Sequence, residues 1–186
     1  FPKNIIQTLS YKNSKGYYIS NTKDFLSDWQ KDRDQYLQFP NLRIQSFSGA
    51  TSYIFNKNFS LKGIYYQKEW QETSSGSFVP SLHYEYLIFS DNQNAVKSRE
   101  HQLNLGLDAG YYYNYVVTKH INIAPFSYAG LGKKWSNYKN DVTKDNREKQ
   151  NYFTQNFGVG LHLGYNAEKF FFGSKFNYSG NHYRDN

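Results

Sequence analysis

The sequence predicts an all-β protein: an antiparallel up-and-down transmembrane β-barrel of about eight long strands. Three observations predict it. Apolar and polar residues alternate with period two along most of the chain. The alternating runs exceed the roughly 5–6 residues of an average soluble strand and reach the roughly 9–11 that cross a bilayer at a tilt. Aromatic residues make up 20% of the chain (19 Tyr, 15 Phe, 3 Trp), while all hydrophobic residues together make up 38%. Rings with one dry and one wet side suit a membrane boundary. No apolar run approaches the roughly 20 residues of a transmembrane helix. A membrane-spanning chain of this kind must therefore be a barrel, because only helices and closed barrels satisfy their backbones in lipid.

Taken in order, the first alternating run spans about Ile5 to Ile19 and the second Leu42 to Phe55. A third is expected from Phe59 to Trp70. In the fourth, Phe78, Pro80, Leu82, Tyr84, Tyr86 and Ile88 alternate with Val79, Ser81, His83, Glu85 and Leu87. The fifth has Leu103, Leu105, Leu107, Ala109, Tyr111, Tyr113 and Tyr115 on one face. Its other face carries Gln102, Asn104, Gly106, Asp108, Gly110, Tyr112 and Asn114, polar or Gly throughout apart from Tyr112. The sixth runs from Ile121 to Trp135. The seventh sets Phe157, Val159, Leu161 and Leu163 against Asn156, Gly158, Gly160 and His162. The eighth alternates Phe170, Phe172, Phe176 and Tyr178 with Gly173, Lys175 and Asn177. The apolar face is expected to meet lipid and the polar, Gly-rich face the lumen, with the glycines relieving crowding.

The connections fit hairpins. Asn56-Lys57-Asn58, Val117 to Lys119 and Asn166 to Lys169 are expected as short turns, and Asp91 to Glu100 and Ser136 to Gln150 as longer polar loops. Short turns belong on the periplasmic side of a bacterial barrel and long loops outside. Asn21 to Pro40 breaks this order: counted through eight strands, the longest connection falls on the short-turn side. Either the count slips by one near the start or that side carries a structured loop. Phe25 and Trp29 lie i, i+4 apart, with Thr22 or Asp24 placed to cap a short helix.

Little in the sequence points to chemistry. There is no Cys, hence no disulfide, thiolate site or cysteine nucleophile. The five histidines, His83, His101, His120, His162 and His182, lack helical metal-ligand spacing. His83 and His162 both fall on inward faces, as do Glu85, Asp108 and the candidate cations Lys62, Lys68 and Lys175. A narrow barrel fills its interior with such opposite charges, since buried charges need partners. Ser74-Ser75-Gly76-Ser77 sits in a turn rather than a nucleophile elbow, and Gly158-Val159-Gly160 lies within a strand. The net charge is +7, but Lys and Arg are scattered rather than clustered, against a nucleic-acid footprint. The basic surface fits anionic lipid headgroups. No catalytic residue, cofactor or metal is expected.

Ser14-Lys15-Gly16-Tyr17-Tyr18 is followed by Asn41-Leu42-Arg43-Ile44-Gln45, then Tyr53-Ile54-Phe55-Asn56, and then Gln67-Lys68-Glu69-Trp70-Gln71 with Ser75-Gly76-Ser77-Phe78. This order resembles the Bacteroidota outer-membrane proteins grouped as domain of unknown function 4421. In that family a "SAGSF" turn stands where this chain has Ser-Ser-Gly-Ser-Phe. The resemblance is closest in the first half of the chain. It implies an exported outer-membrane barrel of a Gram-negative bacterium, with no assigned reaction and no catalytic residues to transfer. Members are longer, with strands before the first block, and outer-membrane barrels typically finish on an aromatic residue. This chain begins at Phe1 and stops at Arg184-Asp185-Asn186. The expectation is one outer-membrane domain over 1–186, incomplete at both ends and not closed on itself, as part of a larger barrel of about 10–12 strands; the rival is a complete eight-stranded barrel, which the even strand count allows. The expected role is a structural subunit or scaffold of an outer-membrane complex, with lipid, lipopolysaccharide and other outer-membrane proteins as partners. The alternatives are a membrane enzyme acting on lipid or lipopolysaccharide, a small transporter or pore, and a soluble lipocalin-like carrier.

Overall fold

The computed structural model describes residues 4–65, 69–93, 96–140, 147–167 and 171–185. Among these residues seven strands form one antiparallel sheet in sequence order: β1 (Ile5–Ile19), β2 (Leu37–Tyr53), β3 (Ser75–Gln93), β4 (Val96–Thr118), β5 (Ile121–Asn140), β6 (Arg147–Asn166) and β7 (Phe171–Asp185). The sheet curls into a half-barrel. Strands of 15 to 23 residues bear out the long-strand expectation. Among the described residues β1 and β7 do not pair with each other, so each keeps a free edge.

The alternation fixes which side of each strand is concave, because a one-residue slip would exchange the two faces. Leu107, Leu131, Val159 and Phe172 are exposed on the convex face. Ser46, Ser77, Gln102 and Ser136 are buried on the concave one. The ladders keep this arrangement in register; one rung of the convex face reads Tyr11, Phe47, Tyr86, Leu103, Trp135 across β1 to β5. The β1–β2 ladder shifts register at Gly16, whose φ of 80° is the left-handed bulge conformation glycine adopts freely.

Among the described residues the strands number seven rather than about eight, because in the segment expected as the third strand, Phe59 to Trp70, the described residues form a loop and a short helix. Asn56-Lys57-Asn58 is likewise not a hairpin turn between strands. The chain between β2 and β3 folds back over the concave face with a short helix, α1 (Leu61–Tyr65). Ile54, Phe59, Leu61 and Ile64 are buried against Ile6, Val79, Tyr112, Ala124 and Phe126. This cap supplies the main apolar cluster on the concave side.

Removing one strand moves the Asn21–Pro40 connection to the same side as the β3–β4 and β5–β6 connections, which resolves its anomaly. That connection carries a 3-10 turn at Thr22–Asp24 rather than the expected α-helix. Thr22 Oγ1 donates to Ile19 O (2.5 Å) and accepts from Leu37 N (3.0 Å), tying the loop to the ends of β1 and β2. The loops expected at Asp91–Glu100 and Ser136–Gln150 are mostly strand, since β3 runs to Gln93, β4 starts at Val96, β5 runs to Asn140 and β6 starts at Arg147.

Candidate functional site: the concave face and its cap

The concave face carries three hydrogen-bonded polar groups. In the first, Asp108 of β4 meets two partners. His83 Nε2 lies 2.9 Å from Asp108 Oδ2, and Asn156 Nδ2 donates to Asp108 Oδ1 at 3.0 Å. His83 reaches Asp108 diagonally, since its direct neighbour on β4 is Gly106. Asn156 lies on β6, two strands away, and meets Asp108 over Gly130, which shares their rung on β5. A Cβ at Gly130 would stand 1.9 Å from Asp108 Oδ1. The glycine leaves the space in which the pair forms.

The second group centres on Glu85, which accepts from Ser46 Oγ (3.2 Å) and Asn104 Nδ2 (2.9 Å). The third centres on Glu100, which accepts from Gln102 Nε2 (2.6 Å) and Ser136 Oγ (2.5 Å). Each carboxylate is held by side-chain donors: imidazole and amide at Asp108, hydroxyl and amide at Glu85 and at Glu100, where the amide of Gln102 comes from the same strand. A cavity of about 490 Å³ lies over the first two groups, lined also by Thr8, Ser48 and Thr154.

The cap is built by local polar ties. Asn56 donates through Nδ2 to Ser75 Oγ (3.0 Å) and Gly76 O (2.9 Å), and through its backbone N to Ser77 Oγ (3.0 Å). Gln71 accepts from Ser60 N (2.8 Å) and donates to Asn58 O (2.7 Å). Ser60 Oγ accepts from Gly63 N at 3.1 Å, starting α1 as a hydroxyl cap does. Tyr112 and Phe126 stack with centroids 5.4 Å apart beneath Tyr65, whose hydroxyl lies 3.1 Å from that of Tyr112. Ser75 to Ser77, expected in a turn, open β3 instead and serve with Ser74 as an anchor: Ser74 Oγ accepts from Val116 N, and Ser75 and Ser77 hold Asn56.

The structure sorts the candidates read from the sequence. His83, Glu85 and Asp108 face inward as expected. His162 is also inward and buried, but it lines neither the Asp108 cavity nor the one adjoining it, so it does not share a site with His83. His101 faces outward, its Nδ1 2.6 Å from Tyr86 Oη. His120 sits in the β4–β5 turn, its Nδ1 2.7 Å from Asn166 O. His182 is exposed on β7, opposite Gln155. Lys62 is corrected: it lies on α1 rather than on a strand's inner face, and its Nζ is 3.6 Å from Glu69. Lys68 and the Lys175 side chain lie outside the described residues. Among the described residues no group of three or more His, Cys, Asp or Glu is placed to hold a metal.

The strands thus define a class: a curled antiparallel meander, apolar on its convex face and polar on its concave face, with a cap between its second and third strands. A family model described as domain of unknown function (DUF4421) matches residues 1–186, and the chain belongs to that family. No curated protein matches the chain.

Proposed function

We propose that this chain is a wall of a bacterial outer-membrane β-barrel and acts as a structural subunit or scaffold in an outer-membrane complex. One observation carries the proposal: the convex face is broadly apolar and exposed, while the concave face is polar apart from the cluster under the cap, the reverse of a soluble carrier barrel. The apolar face of β4 runs from Leu103 to Tyr115. That is about 40 Å of strand at about 3.3 Å per residue, or roughly 28 Å of height at a 45° tilt, close to the apolar band of an outer-membrane barrel. An exposed apolar face on this scale calls for a lipid or protein cover. Lipid outside also requires the free edges to be matched by further strands, because each unpaired backbone group in hydrocarbon costs several kcal/mol. Those strands come from the same protein or from a partner. A concave face with hydrogen-bonded carboxylates, partly covered by a cap, suits a structural wall better than a wide channel.

The test is extraction of a tagged chain from its own host. The proposal expects it in the outer-membrane fraction, resistant to alkaline carbonate and migrating on a native gel well above its own 21.9 kDa. A chain released by carbonate, or one migrating alone, contradicts it.

A further inference from the structure

The cations that look scattered in the sequence are brought together by the strand register. Lys15 of β1 pairs with Arg43 of β2, Arg43 with Ser90 of β3, Ser90 with Arg99 of β4, and Arg99 with Lys139 of β5. Four of these five positions on one rung are cationic. Lys139 in turn pairs with Arg147 at the start of β6. The row crosses four strand spacings, about 19 Å at about 4.8 Å each. Lys15, Arg43, Arg99 and Lys139 line one open cleft of about 740 Å³, joined by Lys97 and His101. Among the described residues Asp91 is the carboxylate lining it. Among the described residues none of these five Lys and Arg side chains makes an ion pair. Arg99 Nε donates a long 3.5 Å hydrogen bond to Ser90 Oγ.

Position along the strands sets what this cleft meets. It shares the convex side with the aromatic rung Tyr11, Phe47, Tyr86, Leu103, Trp135, four residues further toward the loop ends of the same strands. Below it the convex face turns apolar. Lys133, one strand pleat below Trp135, bends its ammonium to 5.5 Å from the Trp135 ring, reaching toward the rim as a snorkelling lysine does. Aromatic rings with cations beyond them are the order of a headgroup boundary. Among the described residues the cations are not paired with carboxylates, and in the outer-membrane reading the anionic groups that would stand at that level are lipid phosphates.

We propose that Lys15, Arg43, Arg99 and Lys139 form a binding site for the phosphate groups of an anionic lipid headgroup at the loop-side leaflet. This deepens the membrane reading and rests on it. The two arginines can each hold a phosphate through a two-donor fork, and the lysines add point charges. Binding weakens as salt rises, because the cleft is open to solvent.

The experiment uses the natively extracted protein, bound to neutral phosphatidylcholine vesicles with or without added lipid A. The variants are Arg43→Gln/Arg99→Gln/Lys139→Gln and the charge-preserving Arg43→Lys/Arg99→Lys. Each cation near an anionic surface contributes about a fivefold factor, so the triple variant is expected to lose on the order of 100-fold of the added affinity for lipid A vesicles. The Lys variant is expected to keep most of it, and circular dichroism to match the parent for both. Equal affinity of parent and triple variant for lipid A vesicles overturns the phosphate site while leaving the membrane reading standing. Failure of the parent to bind either vesicle sinks both. Competition by free inorganic phosphate at the lipid's own concentration would show a site for the free ion and overturn the headgroup assignment. Loss of a co-purifying protein with unchanged lipid phosphorus would reassign the cleft to an acidic partner.

Discussion

The Asp108–Asn156 pair exists only because the residue between them has no side chain, and Gly130→Ala tests this directly. The methyl would stand 1.9 Å from Asp108 Oδ1 and 2.4 Å from Asn156 Oδ1. Non-bonded heavy atoms settle at roughly 3.5 Å, so the two oxygens must retreat by more than an ångström each. That breaks a 3.0 Å hydrogen bond to a carboxylate. The side chain of Asp108 is only 12% exposed, so water recovers little of the loss. A hydrogen bond to a charged group contributes about 1.5–3 kcal/mol, and Gly130→Ala is expected to cost that much. Guanidinium unfolding of the folded protein in detergent, followed by tryptophan emission, measures it. In an Asp108→Ala/Asn156→Ala background the methyl meets no oxygen, and the same substitution should cost less than about 0.5 kcal/mol. An equal cost in both backgrounds would refute the reasoning and place the effect in the β5 backbone.

Three further outcomes follow from the same structure. Leu105→Arg, on the convex face, is expected to cost about 2–4 kcal/mol near a bilayer midplane, and Asn104→Arg, on the concave face, distinctly less; refolding titrations into vesicles compare them, and equal costs would contradict a lipid-facing side. Ile64→Ala should loosen the cap, since Ile64 is 2% exposed among Phe59, Leu61 and Phe126; a loss of about 2–5 kcal/mol and faster proteolysis at Lys62 are expected, with the strand signal in circular dichroism unchanged. In the β1–β2 loop, the Arg33 guanidinium and the Gln30 backbone N–H bond the Asp34 carboxylate and hold it below the ordinary carboxylate range. The folded value is depressed, so this tie is complete above the unfolded carboxylate range and is lost as pH falls through the folded value; Arg33→Gln should raise the Asp34 midpoint in an NMR titration.

Period-two alternation was enough to read β1 to β7, because each of those strands has one face that must avoid water and one that must not. The same rule misread Phe59 to Trp70. Phe59, Leu61 and Tyr65 keep an alternating spacing, but Leu61 and Ile64 are buried together at helical spacing. The segment buries its apolar residues against the concave face of other strands, and alternation within one segment does not report such a contact. The loop order held the correcting signal: the Asn21–Pro40 anomaly disappears once one strand is removed. Inward placement of His83, Glu85 and Asp108 was legible, but their pairing was not. It depends on which glycine lies across the ladder, and that requires the register. The same holds for Lys15, Arg43, Arg99 and Lys139, spread over 125 positions of sequence and gathered on one rung only by strand pairing.

The chain's three tryptophans offer the most direct test of which face meets lipid. Trp135 lies on the convex face beside Lys133, while Trp70 follows the cap and approaches Gly164 on the concave side. Single-tryptophan proteins, Trp29→Phe/Trp70→Phe and Trp29→Phe/Trp135→Phe, would be folded into bilayers whose acyl chains carry bromine, a short-range quencher. A lipid-facing convex side predicts strong quenching of Trp135 and little of Trp70. Equal quenching of the two, or an unquenched Trp135, would contradict it.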